Sequence, residues 1–204
     1  MIVSNNNPDV DLTAWLPARP RVELLQQPRH ARSGLRFLIA ARTDADHFVS
    51  VDDDLFVTAE QIDRLLAHLA DEPGVPHGGP WGQRLVRMPN GRIAWRGPLY
   101  PDQRVDVLNR MYAFTREHAR RFVALAARLG EPDPATMGPI DDVVLSHCGA
   151  TRPLAHDLGP WEDCPSSHDA DIAIWRQPGF VEARNAAIGR LRAMARARDR
   201  AGGA

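Results

Sequence analysis

The clearest alternation of apolar and polar positions lies between residues 48 and 76. Phe48-Val49-Ser50-Val51 is typical of a short strand, and Thr58 to Gln61 has the pattern of a helix-starting capping box. Apolar residues then recur at i, i+3, i+4 and i+7, namely Ile62, Leu65, Leu66 and Leu69, and Pro73-Gly74 ends the pattern. A strand that leads directly into an amphipathic helix favours an α/β fold.

The rest of the chain carries weaker versions of the same two patterns. Short strands are predicted at residues 2–4 and 22–25, a hairpin at 85–104 with Asn90-Gly91 at its tip, and a buried apolar segment at 107–114. Helices are predicted at 35–41, from Thr115 to Leu129 with Gly130 after it, from Asp141 onwards, and at 180–198. We expect one domain over residues 1–195 and a frayed tail over 196–204.

Composition narrows the function classes. The 204 residues hold 25 basic and 26 acidic side chains, so the net charge of -1 gives no case for nucleic-acid binding. All 25 basic residues are Arg, which excludes chemistry that uses a Lys amine. The N-terminus lacks signal-peptide features, no apolar run approaches the length of a membrane helix, and Cys148 and Cys164 have neither disulfide-framework nor zinc spacing. We therefore expect a soluble, cytoplasmic protein.

Three adjacent carboxylates, Asp52, Asp53 and Asp54, follow the predicted strand at 48–51. Because like charges repel, such a run at the end of an apolar strand is favoured when a divalent cation neutralises it. Carboxylate oxygens suit Mn²⁺ or Mg²⁺, and both ions commonly hold phosphate groups in proteins. The run therefore predicts a metal–diphosphate site.

The acidic run belongs to an ordered set of motifs. "FVSVDDDLFVTAEQI" is followed by "GPIDDVVLSH" and then by "SSHDADIAIWRQPGFVEARNAAIGRL". In this order the motifs resemble the exostosin-type glycosyltransferases, over a span from Ile2 to about Leu191. The resemblance implies a GT-A fold, a Rossmann-like mixed sheet flanked by helices, and retaining transfer of a sugar, typically an N-acetylhexosamine, from a UDP donor.

The resemblance also implies roles for the carboxylates. Asp54, together with Asp52, would bind the Mn²⁺ or Mg²⁺ that bridges the donor diphosphate. Asp52 and Asp53 would contact the ribose and the sugar. Asp142 would lie beside the reacting carbon, where a carboxylate can stabilise the positive charge of an oxocarbenium-like centre.

Four further residues are candidates for the donor site. By resemblance, Asn5 would touch the uracil, Arg36 would meet the base or a phosphate, and Arg176 would approach the diphosphate as a catalytic group. Arg84, which follows a glycine-rich loop, is a further donor-binding candidate. The expected partners are a UDP-sugar and an unidentified acceptor (a glycan, a small molecule or a lipid-linked group), and a homo-oligomer stays open. His168 and the tryptophans that could stack on sugars are weaker candidates, namely Trp81, Trp95, Trp161 and Trp175.

The chain departs from the family pattern in two respects. Ile140 and Gly179 stand where the family often carries a pair of cysteines, as expected in a reducing compartment. The chain also starts where the family's second strand starts, so we expect the first strand and helix of the fold to be absent. A misplaced start codon, a substitute element and a partly active domain are all compatible with that expectation.

Two other functions stay open at this level. A phosphohydrolase of the haloacid-dehalogenase type would use Asp52 as nucleophile and Asp54 as acid and base. Three features count against it. Phe56 stands two residues after Asp54, where a Thr or Val is usual, no Lys is available to balance the phosphate, and the acidic strand comes late in the chain. A transferase fold that has become a binding or assembly subunit, without catalytic activity, is the second alternative.

Overall fold

The structure is a computed structural model that describes residues 1–16, 19–79, 81–90, 92–99, 102–169, 171 and 173–202. The helices in these residues are α1 (Leu35–Arg42), α2 (Ala59–Asp71), α3 (Arg116–Arg128), α4 (Asp141–Ser146) and α5 (Phe180–Gly202). The strands are β1 (Ile2–Asn5), β2 (Glu23–Gln26), β3 (His47–Val51), β4 (Leu55–Phe56), β5 (His77–Gly78), β6 (Gly82–Arg87), β7 (Ile93–Leu99), β8 (Gln103–Arg104), β9 (Val107–Leu108), β10 (Met111–Thr115), β11 (Leu154–Ala155) and β12 (Glu162–Asp163).

The main sheet has five strands in the order β3-β10-β5-β11-β8. β10 pairs antiparallel with both β3 and β5, β5 and β11 run parallel, and β8 closes the other edge antiparallel to β11. The sheet is therefore mixed, as the predicted α/β class requires. Met111 pairs with Val51 at the end of β3, which fixes where the acidic run leaves the sheet.

Three smaller sheets surround the main one. β1 and β2 form a parallel pair, β7-β6-β9 form an antiparallel sheet, and β4 pairs with β12. The hairpin predicted at 85–104 is confirmed as β6 and β7, in which Leu85 pairs with Trp95; Gly91 of its predicted tip lies outside the described residues. The β4–β12 pair matters most for the site, because it holds residues 162–164 against the acidic run.

α2 and α3 begin at the threonine caps that the sequence predicts. Thr58 accepts a hydrogen bond from the Gln61 N–H (3.2 Å), and the Gln61 side chain accepts one from the Thr58 N–H (2.9 Å). α3 has the same reciprocal cap between Thr115 and His118. α5 is longer than predicted and continues through most of the segment 196–204, because Ala and Arg favour the helix.

Two apolar clusters hold the layers together. In the larger one, Phe37 of α1 packs against Phe114 of β10 and Phe122 of α3, at ring separations of 5.2 and 4.4 Å. In the smaller one, Leu65 and Leu69 of α2 pack on the opposite face of β10. Helices therefore cover both faces of the sheet. Among the described residues, none of the helices combines the length and the apolar character that crossing a membrane requires.

Candidate functional site

A cavity of about 960 Å³ opens where β3 ends, between the start of α1 and the start of α4. The acidic run and the second acidic pair both line it, together with guanidinium groups and aromatic rings. Its charged lining residues are Arg32, Arg36, Asp52, Asp53, Asp54, Arg110, Asp141, Asp142, His168 and Arg184. Five carboxylates thus face four guanidinium groups in one cleft of the size that small-molecule ligands occupy.

Backbone pairing positions the acidic run. The Asp52 N–H donates to the Arg110 carbonyl (2.9 Å), so the ladder between β3 and β10 continues to the first carboxylate. Two residues later, the Asp54 carbonyl accepts from the Cys164 N–H (2.8 Å), next to the β4–β12 pair. The run is therefore fixed on both sides, and the loop after β12 lies over it.

The second acidic pair is positioned through α4. The Ser146 hydroxyl donates to the Asp142 carbonyl (2.7 Å) and accepts from the Leu108 N–H (2.9 Å), which ties α4 to the end of β9. Asp141 and Asp142 are both buried in the first turn of this helix. As a result, two acidic motifs that lie about 90 residues apart in sequence share one cavity.

Arg36 links the two motifs. Its Nη1 donates to Asp52 Oδ1 (2.5 Å), and its Nε lies 3.9 Å from Asp141 Oδ2. Burial alone would lower the pKa of Arg36. The carboxylates of Asp52 and Asp141 raise this pKa by more than burial lowers it, so the guanidinium stays charged. The prediction that Arg36 belongs to the site is consistent with this position at its centre.

At Asp52, the effect of burial on the pKa is larger than that of the charged partner. Protein surrounds the carboxylate, although 27 % of the side chain is exposed because it faces the open cavity. Burial and the nearby carboxylates of Asp141 and Asp54 raise its pKa, while Arg36 lowers it. The same field raises the pKa of the buried Tyr112 hydroxyl well above its usual range, through burial first and then through the neighbouring carboxylates. This part of the cavity therefore favours positive charge.

Arg110 is the most informative residue that sequence reasoning missed. It contacts Asp54 Oδ1 (3.1 Å), Asp163 Oδ1 (2.6 Å) and the face of the Trp81 ring (4.5 Å). Its backbone adopts a positive φ of 68°, which is uncommon for Arg and is often found at functional sites. One signal was available, because Asn109 and Arg110 interrupt an otherwise apolar segment between Val107 and Phe114.

Asp142 is held by a second arginine that sequence reasoning missed. Arg184 of α5 donates to Asp142 Oδ1 (2.6 Å), and its guanidinium lies over the rings of Trp95 and Phe180. The Asn109 amide nitrogen donates to Asp142 Oδ2 (2.5 Å) in the orientation that satisfies both of its polar atoms. Burial raises the pKa of Asp142 in spite of Arg184. In the sequence, Arg184 is marked only by its position inside the final motif, because an Arg on a helix is common.

Aromatic rings cover part of the cleft. Trp81, Trp95 and Trp175 line the cavity, whereas Trp161 packs against Trp81 at a ring separation of 5.5 Å. The ring of Trp161 also lies against Gly79, where a β-carbon would come within 2.7 Å of it. Three of the four candidate tryptophans therefore face the site, and the fourth supports one of them.

Three predicted site residues lie outside the cavity lining. The Asn5 side chain donates to the Val10 carbonyl (2.5 Å), and Arg84 donates to the Arg104 carbonyl (3.2 Å). Arg176 is exposed and stacks on Trp175 at 4.8 Å. His168 does line the cavity, where its Nε2 lies 3.6 Å from Asp163 Oδ2. The arginines that pair with the carboxylates of the cavity are thus Arg36, Arg110 and Arg184.

The chemistry of the acidic run fits a metal that the substrate helps to hold. In the described part of the chain, Asp52, Asp53 and Asp54 do not belong to a three-ligand cluster of closely spaced carboxylate oxygens. Mg²⁺ and Mn²⁺ are usually bound by one or two carboxylates plus substrate phosphates rather than by a complete protein cage. Asp54, half-buried at the cavity wall, can supply such a ligand, with Asp52 beside it.

Comparisons with known proteins give no family for this chain. No protein-family model matches it, and no curated protein is significantly similar to it.

Proposed function

We propose that this protein is a metal-dependent retaining glycosyltransferase with a GT-A-type fold, which transfers a sugar from a nucleotide-sugar donor. One observation carries the proposal: Arg36 joins Asp52 of the acidic run to Asp141 of the second acidic pair inside one cavity. A metal–diphosphate group and a developing sugar cation need carboxylates at two points of the same cleft, and the two motifs supply them.

The acidic run would bind the donor diphosphate. Asp54, with Asp52, would hold Mn²⁺ or Mg²⁺, and Asp53, which is exposed at the cavity wall, would face the ribose and sugar hydroxyls. A divalent cation, when bound, offsets negative charge that the diphosphate gains as it leaves. Arg36 pairs with Asp52 and Arg110 with Asp54, and each guanidinium would bind a phosphate oxygen if a metal took its carboxylate.

Asp142 would stabilise the sugar at the reacting carbon. In the transfer the bond from the anomeric carbon to the diphosphate oxygen breaks, a bond to the acceptor oxygen forms, and the acceptor proton passes to the departing diphosphate. The carbon carries positive charge in between, which a fixed carboxylate stabilises. Arg184 and Asn109 hold the Asp142 carboxylate in one orientation, so little reorganisation is needed.

The aromatic lining supports a sugar-nucleotide ligand. Trp81, Trp95 and Trp175 offer flat faces for a base or a sugar ring, and each of these rings carries an arginine on one face. A donor with a UDP group is the first candidate, and an N-acetylhexosamine is the first candidate sugar. Arg176 stays a candidate for the diphosphate, because it stacks on Trp175 at the edge of the cavity.

Release of nucleoside diphosphate tests the proposal. With Mn²⁺ and a panel of UDP- and GDP-sugars, we expect release of UDP with at least one donor. Asp54→Ala should abolish the metal-dependent part, whereas Asp142→Asn should keep donor binding and lower turnover by about 100-fold or more. Asp63→Ala, an exposed carboxylate on α2, is the matched control and should behave as the wild type.

Two outcomes would contradict the proposal. If Asp142→Asn left turnover intact, its role at the reacting carbon would be wrong. If inorganic phosphate were released from sugar phosphates and no UDP from UDP-sugars, the phosphohydrolase alternative would replace the transferase.

A further inference from the structure

A second group of metal-ligating side chains lies between α2 and the β8 edge of the main sheet, which is the edge opposite β3. It consists of His68 of α2, Asp102 before β8 and His156 after β11, which we call the His–Asp–His cluster. One ligand atom from each residue lies within 4.8 Å of the other two, and none of the three residues lines the cavity described above.

A chain of hydrogen bonds runs through His156. The Glu72 carbonyl contacts His77 Nε2 (2.9 Å), His77 Nδ1 contacts His156 Nε2 (2.8 Å), and His156 Nδ1 contacts Asp102 Oδ1 (2.9 Å). Both ends of the chain are acceptors, a carbonyl and a carboxylate. Three hydrogen bonds therefore require three protons on the two rings, and two neutral imidazoles carry only two.

The hydrogen-bond chain is thus one proton short when both rings are neutral and Asp102 is ionised. Both rings are buried, at 1 % exposure for His77 and 5 % for His156, so an extra proton there carries a desolvation cost. If a cation lies between His156 Nδ1 and Asp102, both rings stay neutral. His156 Nε2–H then donates to His77 Nδ1, and His77 Nε2–H donates to the Glu72 carbonyl, which is the outer-shell arrangement that metal-bound histidines usually have.

The third residue of the cluster is His68. Its ring lies parallel to that of His156, with 3.8 Å between the centroids and 8° between the planes. One nitrogen of this half-buried ring lies within 4.8 Å of the ligand atoms of His156 and Asp102. Because the two rings are stacked, His68 would have to rotate to bind the same ion. Asp102 has a positive φ of 40°, which is uncommon for residues other than glycine.

We propose that His156, Asp102 and His68 bind one divalent transition-metal ion, with Zn²⁺ as the best match. Two imidazole nitrogens and one carboxylate oxygen are Zn²⁺ ligands, and Mn²⁺ or Mg²⁺ prefers an oxygen-only set. Ligand atoms of a tetrahedral zinc lie about 3.3 Å apart, close to the present spacing of His156 and Asp102. The ion would fasten α2 to the β8 edge of the sheet.

Thermal unfolding of the chelator-treated protein with added ZnCl₂ tests the site. At a hundredfold excess over its dissociation constant, Zn²⁺ should raise Tm by about 5–10 °C. Co²⁺ should give the intense visible absorption of a low-coordinate nitrogen and oxygen site, with one ion per chain.

Two variants separate a metal site from a structural ion pair. In Asp102→Asn the amide N–H can donate to His156 Nδ1, so the metal-free protein should unfold at the wild-type Tm or above, while the Zn²⁺ shift is lost. An ion pair between a protonated His156 and Asp102 predicts a lower Tm for this variant. His68→Gln, on the half-buried face of α2, should lower zinc affinity at least tenfold with little change in the metal-free Tm.

Two controls locate the ion. His30→Gln removes an exposed histidine that also contacts a carboxylate, Asp9 at 3.1 Å, and should leave the Zn²⁺ shift unchanged. Asp54→Ala should also leave it unchanged, so the result is independent of the proposed transferase site. No rise in the wild-type Tm with Zn²⁺, or an equal rise in both Asp102→Asn and His68→Gln, would overturn the proposal.

Discussion

At the residue scale, the cavity is organised by pairs of opposite charge. Asp52 pairs with Arg36, Asp54 with Arg110 and Asp142 with Arg184. The carboxylates were predictable, because runs of acidic residues at element ends stand out in the sequence. Their arginine partners come from distant segments. Arg36 was predicted through the family resemblance, Arg110 interrupts an apolar segment, and Arg184 has no local signal beyond its position in the final motif.

The Asp142–Arg184 pair is the most buried of the three, with 8 % and 6 % of the two side chains exposed. Arg184→Met would leave the Asp142 carboxylate buried without its cation, so we expect the free energy of unfolding to fall by about 3–5 kcal/mol. Urea denaturation at neutral pH measures this change.

The matched control for that prediction is the double variant Arg184→Met with Asp142→Asn. It removes both charges and should recover a large part of the lost stability. If the double variant were less stable than Arg184→Met alone, the ion pair would not be the source of the effect.

At the element scale, prediction succeeded where a local chemical reason sets the boundary. α2 and α3 begin at reciprocal caps, and the strand at 48–51 is followed by charged residues that cannot enter the core. The two-residue strands β4, β5, β8, β9, β11 and β12 could not be predicted, since partners from distant parts of the chain define them.

The cap of α3 makes part of the stability dependent on pH. His118 Nδ1 accepts from the Thr115 N–H (3.2 Å), so the ring must be neutral at that nitrogen. Burial lowers the pKa of His118 to about 4, although its hydrogen bond to the Gly74 carbonyl acts in the opposite direction. Because the unfolded pKa is near 6.5, this stabilisation is complete above pH 6.5 and is lost as the pH falls through 4.

His118→Gln tests this dependence, because a glutamine at the same position completes the cap as Gln61 does in α2. Between pH 7 and pH 4 the wild type should lose up to about 3 kcal/mol more unfolding free energy than the variant. Denaturation curves at pH 7, 5 and 4 give the difference, and equal losses in both proteins would contradict the assignment.

At the scale of the whole molecule, the site exists because four parts of the chain converge. α1, the end of β3, the start of α4 and the start of α5 bring Arg36, Asp52, Asp142 and Arg184 into one cavity. The sequence predicted the mixed α/β class and nine residues that line this cavity. Five were its main candidates, namely Arg36, Asp52, Asp53, Asp54 and Asp142, and four were weaker ones, namely His168, Trp81, Trp95 and Trp175. It could not predict the strand order, or that Asn5, Arg84 and Arg176 lie outside the lining, because both depend on long-range packing.

The proposed function requires this cavity to bind a nucleotide sugar together with a divalent metal. The most direct measurement is the Tm of the full chain with a panel of nucleotide sugars, with and without Mn²⁺. Binding to the folded state must raise Tm, so at least one UDP- or GDP-sugar should raise it in the presence of Mn²⁺, and Asp54→Ala should remove the metal-dependent part. If no nucleotide sugar changes Tm with or without Mn²⁺, the cavity does not bind this class of ligand and the proposed function is wrong.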